Sequence, residues 1–257
     1  MAPFPHSSSV LQLLLWRERA SRPEAAGSAV LLSMLGESFL LTAAHVADLQ
    51  ASGSLYLPSG RGTSQFVGGI GFNNLRPGTT RRDDRFDIAF LKPIQDPSSS
   101  LPSEYQPVPR KSVDLLGAAA PGDLCLVVGF PISPAWTKSK PDGIYSARLA
   151  SVGRACEPEK YAKLGYDTGT TVLFDFDRKR SLAAGGTKAP SPRGISGGGV
   201  FRVKAHTTDG TVLASELIGV MHSFHEKEGC FAATRLPHYL KVIHEKFPNH
   251  VRAFVDA

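Results

Sequence analysis

Leu40-Leu41-Thr42-Ala43-Ala44-His45-Val46 is an apolar run with a histidine next to its end. Outward from it, Asp87-Ile88-Ala89-Phe90-Leu91 opens a second apolar run with an aspartate, and Gly194-Ile195-Ser196-Gly197-Gly198 sets a serine among glycines. Singly, each has an ordinary explanation: the end of a buried strand, a strand with a polar first residue, a flexible turn. Together they put histidine, aspartate and serine in one chain order, and it is context that gives such motifs weight. The chain from 45 to 87 is long enough to keep two of these residues in one strand-rich unit. The longer stretch to 196 reaches a second unit, and a cleft between the two would hold all three.

These residue types belong to one kind of chemistry. A serine hydroxyl is a poor nucleophile at neutral pH unless a base takes its proton during attack, and imidazole, with an unperturbed pKa of about 6.5, can accept and return one. A buried carboxylate then fixes the imidazole tautomer and stabilises the imidazolium. Ser196 is thus the candidate nucleophile, His45 the base and Asp87 the orienting acid, with Asp48, Asp83 and Asp84 as competing carboxylates. The glycines let the backbone turn its N–H groups inward, which makes the amides of Gly194 and Ser196 candidate oxyanion donors. Gly194 to Gly198 also fits the G-x-S-x-G elbow that follows a central strand in α/β-hydrolases. Ala189-Pro190-Ser191-Pro192-Arg193 precedes it here, and proline cannot donate to a central ladder, so the elbow reading fails.

Composition bounds the rest. With 257 residues, 42% of them hydrophobic, the chain can bury a sizeable core. Its net charge is +6, but the basic residues are scattered, and Arg81-Arg82 and Arg178-Lys179-Arg180 lack the interleaved aromatics of single-strand binders, so no nucleic-acid partner is expected. Cys125, Cys156 and Cys230 are too few and too spread for a disulfide framework, which points to a reducing compartment and a cytoplasmic location. Val10-Leu11-Gln12-Leu13-Leu14-Leu15-Trp16 has no basic residues before it and charged ones after, so it reads as a strand or short helix of the fold, and no run is long enough to span a membrane. His222-Ser223-Phe224-His225 with Cys230 lacks any standard zinc spacing; no metal and no cofactor are expected.

Short β-rich runs punctuated by glycine lie at 29–34, 39–46, 54–57, 65–72 and 87–91, and again at 124–130, 144–152, 172–176, 199–203, 217–222 and 231–234, which predicts an all-β protein. The Pro/Ser-rich stretch between them, around Asp96-Pro97-Ser98-Ser99-Ser100, reads as a connector. Leu236, Leu240, Ile243 and Phe247 then fall at helical spacing after Pro237. The expected organisation is an extension over 1–26, a first β-barrel over 27–95 with His45 and Asp87, a connector over 96–122, a second barrel over 123–235 with Ser196, and a C-terminal helix and tail over 236–257. The second barrel carries longer loops at 154–170 and 177–193, the latter leading into the serine.

LTAAHV, DIAFL and GISGG resemble the histidine, aspartate and serine motifs of the trypsin-like serine proteases, over roughly residues 27–245. The resemblance implies two antiparallel six-stranded β-barrels with the site between them, a C-terminal helix, a His45-Asp87-Ser196 triad, and a protein or peptide substrate cleaved through an acyl-enzyme. It also leaves the alternative of an inactive homologue that binds peptides or a partner in the same cleft, and room for a regulatory protein partner. Several features set the chain apart from digestive members. Val46 stands where a cysteine usually follows the histidine, and Ile195 where zymogen-type relatives carry an aspartate that pairs with a freshly cut N-terminus. In its tail, the Gly197-Gly198-Gly199 run after Ser196 and the absence of a disulfide framework, the chain is more similar to bacterial intracellular and viral 3C-like members, some of the bacterial ones being companions of anti-phage effectors.

Pro190 stands where a trypsin has its pocket aspartate, so a pocket for Lys or Arg is not implied. Ser191 and His222 instead resemble the hydroxyl and histidine with which 3C-type and glutamyl proteases hold Gln or Glu. The register of one strand decides this: a slip of one residue turns Met221 into the pocket, apolar in that case, and His222 toward Asp87.

Overall fold

The computed structural model describes residues 6–58, 64–66, 69–73, 78–93, 101, 105–132, 137–140, 143–146, 148–176, 191–208 and 212–256. Pro190 and most of the 177–193 loop lie outside them. The first sheet holds β1 (Val10–Arg17), β2 (Glu24–Met34), β3 (Glu37–Ala43), β4 (Gly53–Pro58), β5 (Ser64–Phe66), β6 (Gly69–Asn73) and β7 (Ile88–Pro93), in the spatial order β5-β4-β1-β2-β3-β7-β6. The sheet's two outermost strands, β5 and β6, are consecutive in the chain with only 67–68 between them, a link that spans at most about 11 Å. The chain thus passes from one edge of the sheet straight to the other, which curls it into a barrel. Among the described residues seven strands stand in place of the expected six, because the 65–72 run of the sequence reading is divided between β5 at one edge and β6 at the other.

The second half begins with β8 (Leu124–Gly129), followed by a separate hairpin of β9 (Thr137–Lys140) and β10 (Gly143–Ser146). Then come β11 (Leu149–Arg154), β12 (Thr171–Asp175), β13 (Gly199–His206), β14 (Val212–His225) and β15 (Cys230–Arg235), and the second sheet runs β11-β8-β13-β14-β15-β12. Its edges also meet: Ala155 bridges Phe174, and the Cys156 N–H donates to the Leu173 carbonyl at 2.9 Å. Gly153 is required there, since a Cβ would lie 1.7 Å from the Asp175 carbonyl oxygen. All paired strands are antiparallel.

Both faces of the central strands are buried, which explains why they read as apolar runs without alternation. Along β2, Ala29 and Leu31 enter the first barrel's interior while Val30, Leu32 and Met34 face a cluster shared with the second sheet. Along β8, Cys125 and Val127 line the second interior while Leu126 and Val128 join that same shared cluster. The barrels are therefore fused across a common core, and residues 105–122 strap it through bridges from Val108 to Leu32 and from Val113 to Leu217.

Two boundaries differ from expectation. β1 lies inside the first sheet, paired with both β2 and β4, so the first barrel starts at Val10 and not at 27. Its Leu11, Leu13 and Leu15 fill the barrel, which is the reason for the apolar run. The C-terminus forms two helices, α3 (Leu236–Lys246) and α4 (Pro248–Asp256), because Pro248 cannot donate to the preceding turn and Phe247 is pushed out of helical geometry. Earlier in the chain, α1 (Ala44–Ala47) is a single turn and α2 (Pro158–Leu164) two. Among the described residues no helix is long and apolar enough to cross a membrane.

Candidate active site

His45 sits on α1, where β3 ends, and Asp87 immediately precedes β7, the strand beside β3. This adjacency brings the two together from distant sequence. The His45 ring Nδ1 is 2.5 Å from Asp87 Oδ2, and the His45 main-chain N–H donates to Oδ1 at 2.8 Å. The Asp87 carbonyl in turn accepts from the Ala44 N–H. Asp87 has φ +47°, the left-handed region that Asp tolerates better than most residues. Its side chain is 6% exposed and that of His45 40%, so the acid is enclosed and the imidazole open to solvent. Burial raises the Asp87 pKa, but the hydrogen bond and charge of His45 outweigh it and hold the group below its ordinary value. Arg81 engages Asp48 and Asp84, and Asp83 accepts from Thr80, so the competing carboxylates are committed elsewhere.

The Ser196 loop belongs to the second barrel but is anchored on the first. The Ser28 N–H of β2 donates to the Ser196 carbonyl at 2.8 Å, the Thr42 hydroxyl of β3 donates to the Ser28 carbonyl, and Ser28 Oγ accepts from the Phe130 N–H. Tyr239 of α3 completes the chain by donating to the Thr42 carbonyl. Ser28, Thr42 and Tyr239 are fully buried, so these bonds are made away from water, where leaving them unmade is costly. Gly197, at φ +86°, passes so close that a Cβ would lie 1.9 Å from the Ser28 carbonyl oxygen.

The same loop orients its amides. The Arg193 carbonyl accepts from the Ile132 N–H, and the Ile195 carbonyl from the Gly198 N–H. In a trans peptide the N–H points opposite to the carbonyl, so the amides of Gly194 and Ser196 are turned away from Ile132 and Gly198. Among the described residues neither amide has an acceptor. The Ser196 hydroxyl donates to the His222 carbonyl at 3.4 Å; no hydrogen bond joins it to His45 in this state.

The specificity residues are arranged otherwise than a pocket of Ser191 and His222 requires. β14 bulges between Met221, opposite Ala233, and Ser223, opposite Ala232, which leaves His222 as the extra residue. Met221 stays in the second core with Phe174, Phe231 and Ile195, 1% exposed. The His222 ring is buried within range of the charges of Asp87, His45, His225 and Asp84, with Nδ1 2.9 Å from Ser223 Oγ and Nε2 without a partner among the described residues. Burial drives its pKa down to about 4, the charge of Asp87 opposing the shift and His45 adding to it, so the ring is neutral at pH 7. Ser191 is half-buried, and among the described residues no hydrogen bond joins it to His222. The bulge, which depends on the partner strand, is what the sequence does not carry. The cysteines are all free and buried, and burial pushes the Cys125 and Cys156 thiols up to about 12.

Past Met221, the edge of β14 that faced β13 pairs with no strand among the described residues, since that pairing ends at Gly199 and Val220. Among the described residues, 222–225 therefore present an open strand edge beside Ser196, the kind of edge on which an extended peptide can pair.

Two antiparallel barrels fused across a shared core, with histidine and aspartate on the first, serine on the second and helices at the C-terminus, constitute the chymotrypsin fold of the trypsin-like serine proteases. Among solved structures the chain is similar to neuropsin, a serine protease expressed in the limbic system of mouse brain, at 17% identity and a TM-score of 0.61 over 95% of this chain and 96% of that one. It is similar also to kallikrein-related peptidase 10 in a complex with Zn2+, at 16% identity and a TM-score of 0.57 over 96% and 99%. No family model and no curated protein matches the sequence, so the likeness is one of fold.

Proposed function

We propose that the protein is a serine endopeptidase that cleaves protein or peptide substrates with Ser196 as nucleophile, His45 as base and Asp87 as its orienting acid. The observation that carries this reading is the pair of hydrogen bonds from His45 to an enclosed, ionised Asp87, which leaves Nε2 as the imidazole's free acceptor on the exposed side. Attack needs the Ser196 hydroxyl to turn from the His222 carbonyl to Nε2, a rotation about one side-chain bond between staggered positions. Such bonds often tighten only once substrate is bound. The proton passes to His45, Asp87 stabilises the imidazolium, and the amides of Gly194 and Ser196 receive the oxyanion. His45 then protonates the leaving amine, and water repeats the sequence on the acyl-enzyme.

The resting hydroxyl also favours a second reading, a homologue that binds peptides along β14 without cutting them. A fluorophosphonate probe separates the two, because covalent labelling needs an activated serine. Labelling of the wild type, its loss in Ser196→Ala and an equal loss in His45→Ala support the peptidase; an unlabelled wild type that still binds peptides supports the other. Buried free thiols fit a reducing, cytoplasmic setting. The association with anti-phage effectors comes with the resemblance and not with any residue of the site.

A further inference from the structure

Beside His222, three side chains from separate segments form a group that the catalytic reading does not use. Tyr166 follows the Gly165 cap of α2, its N–H held by the Tyr161 carbonyl at 3.0 Å. Its ring centre lies 6.0 Å from that of His222 and 5.5 Å from that of His225, and its hydroxyl is 3.0 Å from His225 Nε2. Arg85, two residues before Asp87, lays its guanidinium over the same ring at 5.2 Å.

Among the described residues Arg85 forms no ion pair, whereas Arg81 nearby is taken up by Asp48 and Asp84. Its positive charge is felt at His225, where burial lowers the ring pKa, Glu228 raises it and Arg85 lowers it further. His225 is thus neutral at pH 7. Where the Tyr166 hydroxyl donates to Nε2 the ring proton sits on Nδ1 as a second donor, and where Nε2 donates the hydroxyl proton is free to donate, so the pair keeps one donor to offer in either tautomer. Among the described residues the other charges close by are Asp84 and Asp87, which flank Arg85 in the chain and are held by Arg81 and His45, then Glu228, and an exposed contact of 4.0 Å between Arg193 and Glu226. An arginine stacked on an aromatic face keeps its planar fork available, and a carboxylate is the partner that fork matches best.

The position along β14 gives this group its meaning. His225 closes the open edge that starts at His222, whose carbonyl meets Ser196, and three residues of strand cover about 10 Å. We propose that Arg85, Tyr166 and His225 form a subsite that selects an acidic side chain, Asp or Glu, about three residues from the scissile bond of a peptide paired on β14. This rests on the peptidase reading for its position relative to a bond, but not for its preference for an acidic peptide.

The test is a peptide library, varied at every position around the cleavage point, digested by the full-length protein, with the same peptides measured for binding to Ser196→Ala by fluorescence anisotropy. Glu should exceed Gln at one position by about five- to tenfold in kcat/KM, as expected for one charge-assisted contact at a partly open site. Arg85→Gln should level Glu with Gln, and Arg85→Glu should favour Lys there, with melting temperatures confirming that both variants fold. Indifference to charge at every position, a basic preference in the wild type, or a Glu preference that survives Arg85→Glu overturns the subsite. If the serine probe fails to label the wild type, the peptidase reading falls, and the anisotropy of acidic against basic peptides with and without Arg85 still decides this one.

Discussion

His45 donates to both oxygens of Asp87, through its ring and through its own main-chain N–H. The main-chain bond fixes the carboxylate, and the fixed carboxylate fixes the ring, so neither can turn without the other. An amide in place of the carboxylate has a single oxygen and can satisfy only one of these donors. Asp87→Asn should therefore fold but hold His45 in the wrong tautomer, with kcat/KM for peptides falling by about 10³–10⁴. Asp84→Asn, which disturbs Arg81 and the Phe86 N–H, should stay within about tenfold of wild type by the same assay. The opposite ranking would reassign the acid.

Gly197 links fold to site, because the turn that aims Ser196 depends on an approach only glycine permits. Gly197→Ala adds a Cβ 1.9 Å from the Ser28 carbonyl and 2.4 Å from the Thr42 hydroxyl at φ +86°. Backbone strain and overpacking together should cost about 2–5 kcal/mol. Gly36→Ala is the control: φ is +75° but a Cβ there meets nothing within 4 Å, so only the backbone cost of about 1–2 kcal/mol applies. Denaturant melts of the two variants check the difference, and probe labelling should fall for Gly197→Ala alone.

How much of this was legible in the sequence depends on range. The runs at β2, β3 and β7 were readable because burial on both faces leaves an apolar stretch, and the triad candidates stood at their ends. The 39–46 run extends one turn past β3, since the apolar Ala44 and Val46 that flank His45 suit a buried strand as well as the buried side of α1. α2 falls inside the 154–170 stretch that reads as a loop, although Pro158 at its start, Glu159 in its first turn and Gly165 at φ +69° after it are helix boundary signals. The β14 bulge and the chain from Ser28 through Thr42 to Tyr239 were not readable, because each needs a partner brought close only by tertiary packing.

His222 should make stability depend on pH. Its pKa is lowered in the fold to about 4 from the ordinary 6.5, so between those values the unfolded chain binds the extra proton. Stability is then complete above pH 6.5 and declines as pH falls toward 4, by about 3 kcal/mol in all. Asp87, held below its ordinary value, adds a further loss at lower pH, as it is protonated. His6 and His225, also lowered by burial, slope the same way as His222. Melting temperatures of wild type and His222→Asn between pH 4 and 7.5 should show the wild type falling more steeply; parallel curves would mean that His222 does not stay neutral in the fold.

Activity should need no N-terminal cut. β1 is an interior strand of the first barrel, between β4 and β2, and Leu11, Leu13 and Leu15 are buried in its core. Just before it, His6 stacks on Phe201 and sits 3.1 Å from the Ser215 carbonyl, tying the segment to the second barrel. Ile195, buried in the second core, offers no carboxylate for a new N-terminus to pair with. The full-length protein, prepared under reducing conditions, should thus label with the fluorophosphonate probe as it stands. Removal of residues 1–26 should excise a central strand and destroy the cooperative melt together with labelling. If the shortened protein instead melted cooperatively and labelled faster than the full chain, β1 would be an inhibitory segment, and activation by cleavage would replace an assembled resting site.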